Sequence, residues 1–138
     1  MIWWHQAQFA LWGHPELLDR TLAWYHQAEP VAREIAQRQG FEGIRWMKMT
    51  DPSGMEAPSN VGSFLIWQQP HLIYLAELLY RANPSDELIK KYNDLIQKTA
   101  EFMYSFAVYD KEHDRYILKG AIPCTRNITC CRYGKSSV

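Results

Sequence analysis

Hydrogen-bonding and aromatic side chains crowd into one stretch of this 138-residue chain. Arg45, Lys48, Asp51, Glu56 and Asn60 fall within residues 42–65, and Trp67, Gln68, Gln69 and His71 follow at once. Guanidinium, ammonium, carboxylate and amide groups are the donors and acceptors that fix hydroxyl groups in place. An indole beside them offers a flat platform for the apolar face of a pyranose ring. The combination points to a site for a polar small molecule. All six tryptophans lie between Trp3 and Trp67, and each can equally serve as ordinary core, because aromatic side chains bury large areas.

A second group of reactive residues sits apart. Cys124, Cys130 and Cys131 are the only cysteines, and residues 124–138 contain Arg126, Arg132 and Lys135 but no acidic residue and no Trp, Leu or Phe. With His113 they would make four possible metal ligands. Adjacent cysteines without a Cys-x-x-Cys spacing suit tetrahedral zinc badly, so no metal and no other cofactor is expected. A disulfide between neighbouring cysteines would be strained, and an intracellular setting would keep it reduced.

The elements that must position these groups are helices. Nearly half the residues are apolar and the chain has the length of one domain, enough for a sizeable core. Acidic and basic residues balance at a formal net charge of zero, which gives no field to gather nucleic acid or anionic lipid. No apolar run approaches the roughly 20 residues of a membrane span, and Met1, Ile2, Trp3, Trp4 and His5 lack the pattern of a signal peptide. The sequence as written therefore reads as cytoplasmic, with neither nucleic acid nor membrane as partner.

Apolar periodicity predicts an all-α chain. A first helix over residues 3–12 stops at Gly13, and Pro15 starts a second with Leu17, Leu18, Leu22 and Tyr25 on its apolar face. Pro30 should kink or divide that helix before Gly40 ends it. A third helix over 70–82 carries Leu72, Ile73, Leu75, Ala76, Leu78 and Leu79 and should be deeply buried. The fourth, over 86–108, repeats Leu88, Tyr92, Leu95, Thr99, Phe102 and Phe106 at intervals of three and four. A turn and short strand follow over 109–118. Glu77 and Arg81 have the spacing of an i, i+4 pair. Residues 42–65 form a loop too long to be idle, in which Trp46, Met47, Met49, Phe64 and Leu65 call for burial.

Taken in order, these segments resemble the catalytic domain of the six-hairpin glycosidases, and within them the maltose and kojibiose phosphorylases and similar hydrolases. Ile2-Trp3-Trp4-His5-Gln6 is similar to a Phe-Trp-Asp-Thr-Glu helix start, and Pro15-Glu16 with Leu18, Leu22 and Tyr25 to an Asn-Pro-Glu helix. Gly43-Ile44-Arg45-Trp46-Met47 with Gly54 and Glu56 resembles a Gly-Ala-x-Phe-Pro-Trp loop and its Gly-x-Glu. Residues 66–81 and Tyr116-Ile117-Leu118-Lys119-Gly120 continue the likeness. It spans nearly all of residues 1–123. The fold it implies is a series of helical hairpins forming part of an (α/α)6 toroid, with a short hairpin near the end.

The resemblance places Trp4, His5 and the loop from Arg45 to Glu56 around a sugar, with an oligosaccharide or glycoside as ligand. His5 stands where the family has an Asp, and serves either as a ligand contact or as a plain helix-start residue. The reaction implied is inverting glycoside cleavage, in which a carboxylic acid protonates the leaving oxygen while water, or phosphate in a phosphorylase, attacks the opposite face. The family's acid follows an Arg-Gly-Val-Ile-Gly-Pro-Asp pattern that Lys119-Gly120-Ala121-Ile122-Pro123 resembles. Here Cys124 comes next and no Glu or Asp follows, so no residue is assigned to catalysis. The sequence reading is thus an inverting hydrolase fragment, silent alone. Its alternative is a small aromatic-rich interaction module. A fragment of this kind should be marginally stable and self-associate non-specifically through uncovered apolar faces.

Residues 124–138 read as a shifted frame. Codons can be chosen for them that, read one nucleotide later, give Ala-Gln-Glu-Thr-Leu-Arg-Ala-Ala-Asp-Thr-Val-Asn-Pro-Pro, which places a Glu within three residues of Pro123. Sequencing of the locus is expected to find family-like coding sequence in that next frame. An undisturbed frame with nothing similar beside it would remove the explanation.

Overall fold

The computed structural model describes residues 2–121. Its architecture is all-α apart from one small hairpin of strands. The helices are α1 (Ile2–Leu11), α2 (Pro15–Arg38), α3 (His71–Ala82) and α4 (Asp86–Phe106), followed by β1 (Val108–Asp110) and β2 (Arg115–Ile117). The strands are antiparallel, with Tyr109 opposite Tyr116.

Local chemistry accounts for the helix ends. Pro15 opens α2, where a missing N–H costs little. At its other end Gly40 turns the chain at φ +80°, and the Phe41 N–H reaches the Ala36 carbonyl at 2.9 Å. This is a Schellman closure, with Phe41 packing on Phe102 and Phe106 as its apolar contact. The same pattern ends α1, the His14 N–H bonding to the Phe9 carbonyl at 2.7 Å. Ser85 caps α4, its hydroxyl accepting from the Leu88 N–H at 3.2 Å ahead of Asp86 and Glu87.

Of the two outcomes expected at Pro30, a kink or a division, the division does not occur: α2 runs on through it. Burial of Tyr25, Ala28, Ala32, Ile35 and Ala36 on both sides of it holds the helix as one element. One lost i→i−4 bond is smaller than that packing.

Short turns at Gly13 and Asn83 fold α1 against α2 and α3 against α4 as two αα-hairpins. Side-chain pairs show how the hairpins lie. Trp3 at the start of α1 meets His71 and Tyr74 at the start of α3, with ring centroids 6.1 and 5.8 Å away. Asp19 near the start of α2 accepts from Lys91 Nζ at 2.7 Å and Tyr92 OH at 2.7 Å near the start of α4, and Glu29 further along takes Lys98 Nζ at 2.8 Å. Odd helices therefore run parallel to each other, as do even ones. Burial raises the Asp19 carboxyl, but the hydrogen bonds from Lys91 and Tyr92 outweigh it and leave it below its ordinary value.

The core forms where the hairpins meet, from Leu18, Leu22 and Tyr25, from Leu72, Leu75 and Leu79, and from Tyr92 and Leu95. Ile73 and Leu78 are only half-buried, so α3 is covered less completely than its composition suggests. Within the long loop Trp46, Met47 and Leu65 are buried, whereas Met49 and Phe64 are about half exposed. The last two sit on its solvent side, a direction composition does not encode. The loop holds a small bridge between Thr50 and Glu56 and a 3-10 turn at Gly62–Phe64.

The loop enters the core as an extended segment between α2 and α4. The Ile44 N–H bonds to the Lys98 carbonyl at 3.1 Å and the Arg45 N–H to the Ala32 carbonyl at 3.0 Å. Gly43 makes that approach possible. It has φ +69°, and a Cβ there would lie 2.1 Å from the Lys98 carbonyl oxygen. Gly43→Ala is expected to lower unfolding free energy by about 3 kcal/mol or more through backbone strain and overpacking, read as a lower urea midpoint with unchanged slope.

Candidate functional site

The long loop begins its work at Trp46, whose indole is buried edge-on against Tyr25 at 4.8 Å. Its Nε1–H donates to the Thr99 hydroxyl at 3.0 Å, and that hydroxyl donates in turn to the Leu95 carbonyl at 2.7 Å. The Gln69 amide grips the Trp46 main chain from both sides. Its Oε1 accepts from the Trp46 N–H at 3.2 Å and its Nε2 donates to the Trp46 carbonyl at 2.7 Å. Gln68 Nε2 donates to the same carbonyl at 2.9 Å and to that of Leu65 at 2.8 Å. Trp46, Gln69 and the Gln68 amide nitrogen are therefore engaged within the protein, where they hold the loop, while Gln68 Oε1 is buried with no hydrogen-bond partner among the described residues.

Arg45 is also internal. Its guanidinium donates to Gln39 Oε1 and to the Ser63 carbonyl, and lies 5.5 Å from the centroid of the Phe102 ring. Burial depresses its pKa, and the charge of Glu56 opposes the shift. Glu56 is half-buried with Arg38 3.9 Å away. Asp51 organises a turn, one carboxylate oxygen accepting from Ser53 Oγ at 2.6 Å, Ser53 N–H at 2.8 Å and Met55 N–H at 3.1 Å, and these bonds lower its pKa. The adjacent Pro52 carbonyl accepts from Trp24 Nε1 at 2.8 Å, tying that turn to α2. Lys48 is exposed.

The other candidates converge elsewhere. Where α1 and α3 begin, Trp3, Trp4, Trp67, Pro70, His71 and Tyr74 line an open cleft of about 450 Å³. Trp3 stands edge-on to Trp4 at 4.9 Å and stacks on His71, while Trp67 meets the His71 ring at 5.0 Å. Trp4 is 67% exposed, so a broad indole face is free to take a ligand. Trp67 Nε1 is buried with no hydrogen-bond partner among the described residues. His5 is exposed on the same turn of α1 as Trp4.

No family model, curated protein or solved structure matches this chain. The reading of the site therefore rests on its residues.

Of the eleven sequence candidates, the structure brings Trp4, Trp67 and His71 into the cleft lining, while His5, Arg45, Trp46, Lys48, Asp51, Glu56, Gln68 and Gln69 lie outside it. Trp3, Pro70 and Tyr74 join the lining without having been singled out. Helical spacing carried a signal for Tyr74, three residues beyond His71 on the same face. The position after Pro123, with Cys124, Cys130 and Cys131, lies outside the described residues. His113 is within them and bonds to Asp110 at 2.9 Å. Glu77 and Arg81 form the expected pair at 3.0 Å.

Partial burial holds the His71 pKa below its ordinary value. The unfolded chain then binds a proton at this site more readily than the folded one, so the contribution is full above about pH 6.5 and is lost as pH falls through the lower folded value. Thermal midpoints measured from pH 7.5 to 5 are expected to fall on the acid side, and His71→Phe to flatten that fall. An unchanged slope in the variant would show that other groups cause it.

Proposed function

We propose that the chain carries the sugar-binding part of an inverting glycoside hydrolase built from consecutive helical hairpins, without its general acid. One observation supports this reading most: Trp4, Trp67 and His71, from separate segments, meet in one aromatic cleft where α1 and α3 both begin. A pyranose ring presents apolar C–H faces to such walls, and hydroxyls at its edge reach donors at the rim. His71, with its pKa lowered, is neutral near pH 7 and can both donate and accept.

Among the described residues the cleft lining has no carboxylate, so those residues can hold and orient a sugar but offer no acid to the leaving oxygen. That fits the absence of Glu and Asp from residues 124–138. Two αα-hairpins side by side with like helices parallel are the unit that an (α/α)6 ring repeats. Water is preferred to phosphate as the attacking group, since His5 occupies the place of the family's usual Asp. Product that depends on added phosphate in a frame-restored protein would reverse that preference.

Titration of tryptophan emission with glucose, maltose, kojibiose and their methyl glycosides tests the binding claim. Saturable binding in the millimolar range is expected, weakened about tenfold, or ~1.4 kcal/mol, by Trp4→Ala or Trp67→Ala. Absence of saturation with every sugar, or alanine variants that bind like the parent, would refute it.

A further inference from the structure

Among the described residues that line the cleft, His71 is the side chain whose charge changes near neutral pH. Its ring stacks on Trp3 at 6.1 Å with the planes 26° apart, and meets Trp67 at 5.0 Å with the planes 68° apart. Two indoles from different segments hold the imidazole in place.

The other groups around it are aromatic and uncharged. Trp4 stands beside Trp3 on α1, and Tyr74, one turn further along α3, lies 5.8 Å from Trp3. His5 is the other ionisable side chain at this end of α1, exposed and outside the lining. Burial, and after it the charge of the amino terminus, oppose a positive charge on the His71 ring. No carboxylate among the described lining residues offsets them.

An uncharged ligand seated in this cleft takes water away from the imidazole without bringing an anion to it. Desolvation acts against the charged form, so ligand and proton compete. The hydrogen-bonding capacity of the ring changes in the same sense. A neutral imidazole accepts from one hydroxyl and donates to another, whereas the imidazolium only donates.

We infer that the cleft binds uncharged glycosides in a proton-linked way: the seated sugar requires a neutral His71, and protonation of this ring releases it. Linkage makes the effect reciprocal, so bound sugar must also make the ring harder to protonate. The inference rests on the sugar-binding reading and adds to it a control by acidity. It is distinct from the effect of His71 on stability, which needs no ligand.

Two measurements on the full chain decide it, with circular dichroism at each pH to show that the chain is folded. Calorimetric titration with methyl glucoside and maltose is expected to give a dissociation constant that rises about threefold or more between about pH 7.5 and about pH 5. The imidazole C2–H resonance of His71 is expected to titrate at lower pH with saturating sugar than without it. His5→Gln should keep both effects, and His71→Phe should lose the pH dependence of whatever binding it retains. Where His71→Phe binds too weakly to compare, the resonance decides alone, because a ring that only supports the fold titrates alike with and without sugar. An affinity that ignores pH, or a His71 resonance unmoved by sugar, overturns the inference and leaves the sugar-binding reading standing. Absence of sugar binding at every pH overturns both.

Discussion

The rest of the structure depends on the capture of one residue's main chain. Trp46 lies in a long connection that would have no reason to enter the core without partners for its N–H and C=O, because a buried main chain with orphaned groups is costly. Gln69 supplies both partners from a single side-chain amide, and Gln68 adds a second donor to the same carbonyl. The indole then bonds to Thr99 on α4. This clamp joins the connection, α4 and the residues just before α3. It fixes where Trp67 and His71 emerge, and hence the cleft.

That arrangement divides labour among similar residues. Trp46 spends its N–H inside the protein, while Trp4 shows a bare face to solvent. Arg45 is held by Gln39 and the Ser63 carbonyl, and the charge of Glu56 lies close enough to favour its charged form. The strongly polar part of the loop builds scaffold, and the aromatic helix starts present the open surface. That surface offers shape and ring faces more than charge.

Much of the fold was legible in the sequence because its signals are local. Pro15, Gly13 and Gly40 mark helix ends through main-chain geometry, and the repeat from Tyr92 to Phe106 marks a buried face. Pro30 left open a kink or a division, and tertiary packing removed the division. The loop was harder. Arg45, Gln68 and Gln69 have the right chemistry for a sugar hydroxyl and equally for a main-chain carbonyl, and residue type does not say which way a side chain turns. Met49 and Phe64 likewise have apolar chemistry but lie outward. Trp4, Trp67 and His71 could be named from their types, whereas their meeting required the parallel alignment of α1 and α3.

Sequence separation gives the Trp46 clamp a kinetic meaning. Each αα-hairpin closes over a turn of a few residues, and such local contacts form quickly, whereas Trp46 and Thr99 lie 53 positions apart. The indole has nothing to bond until both hairpins stand side by side. Helix formation and locking of the connection thus depend on contacts of very different reach, and tryptophan emission followed beside far-ultraviolet dichroism, with a Trp46→Phe variant to isolate its share, times the later step. The cleft, whose Trp67 and His71 follow from that connection, is completed only at the later step.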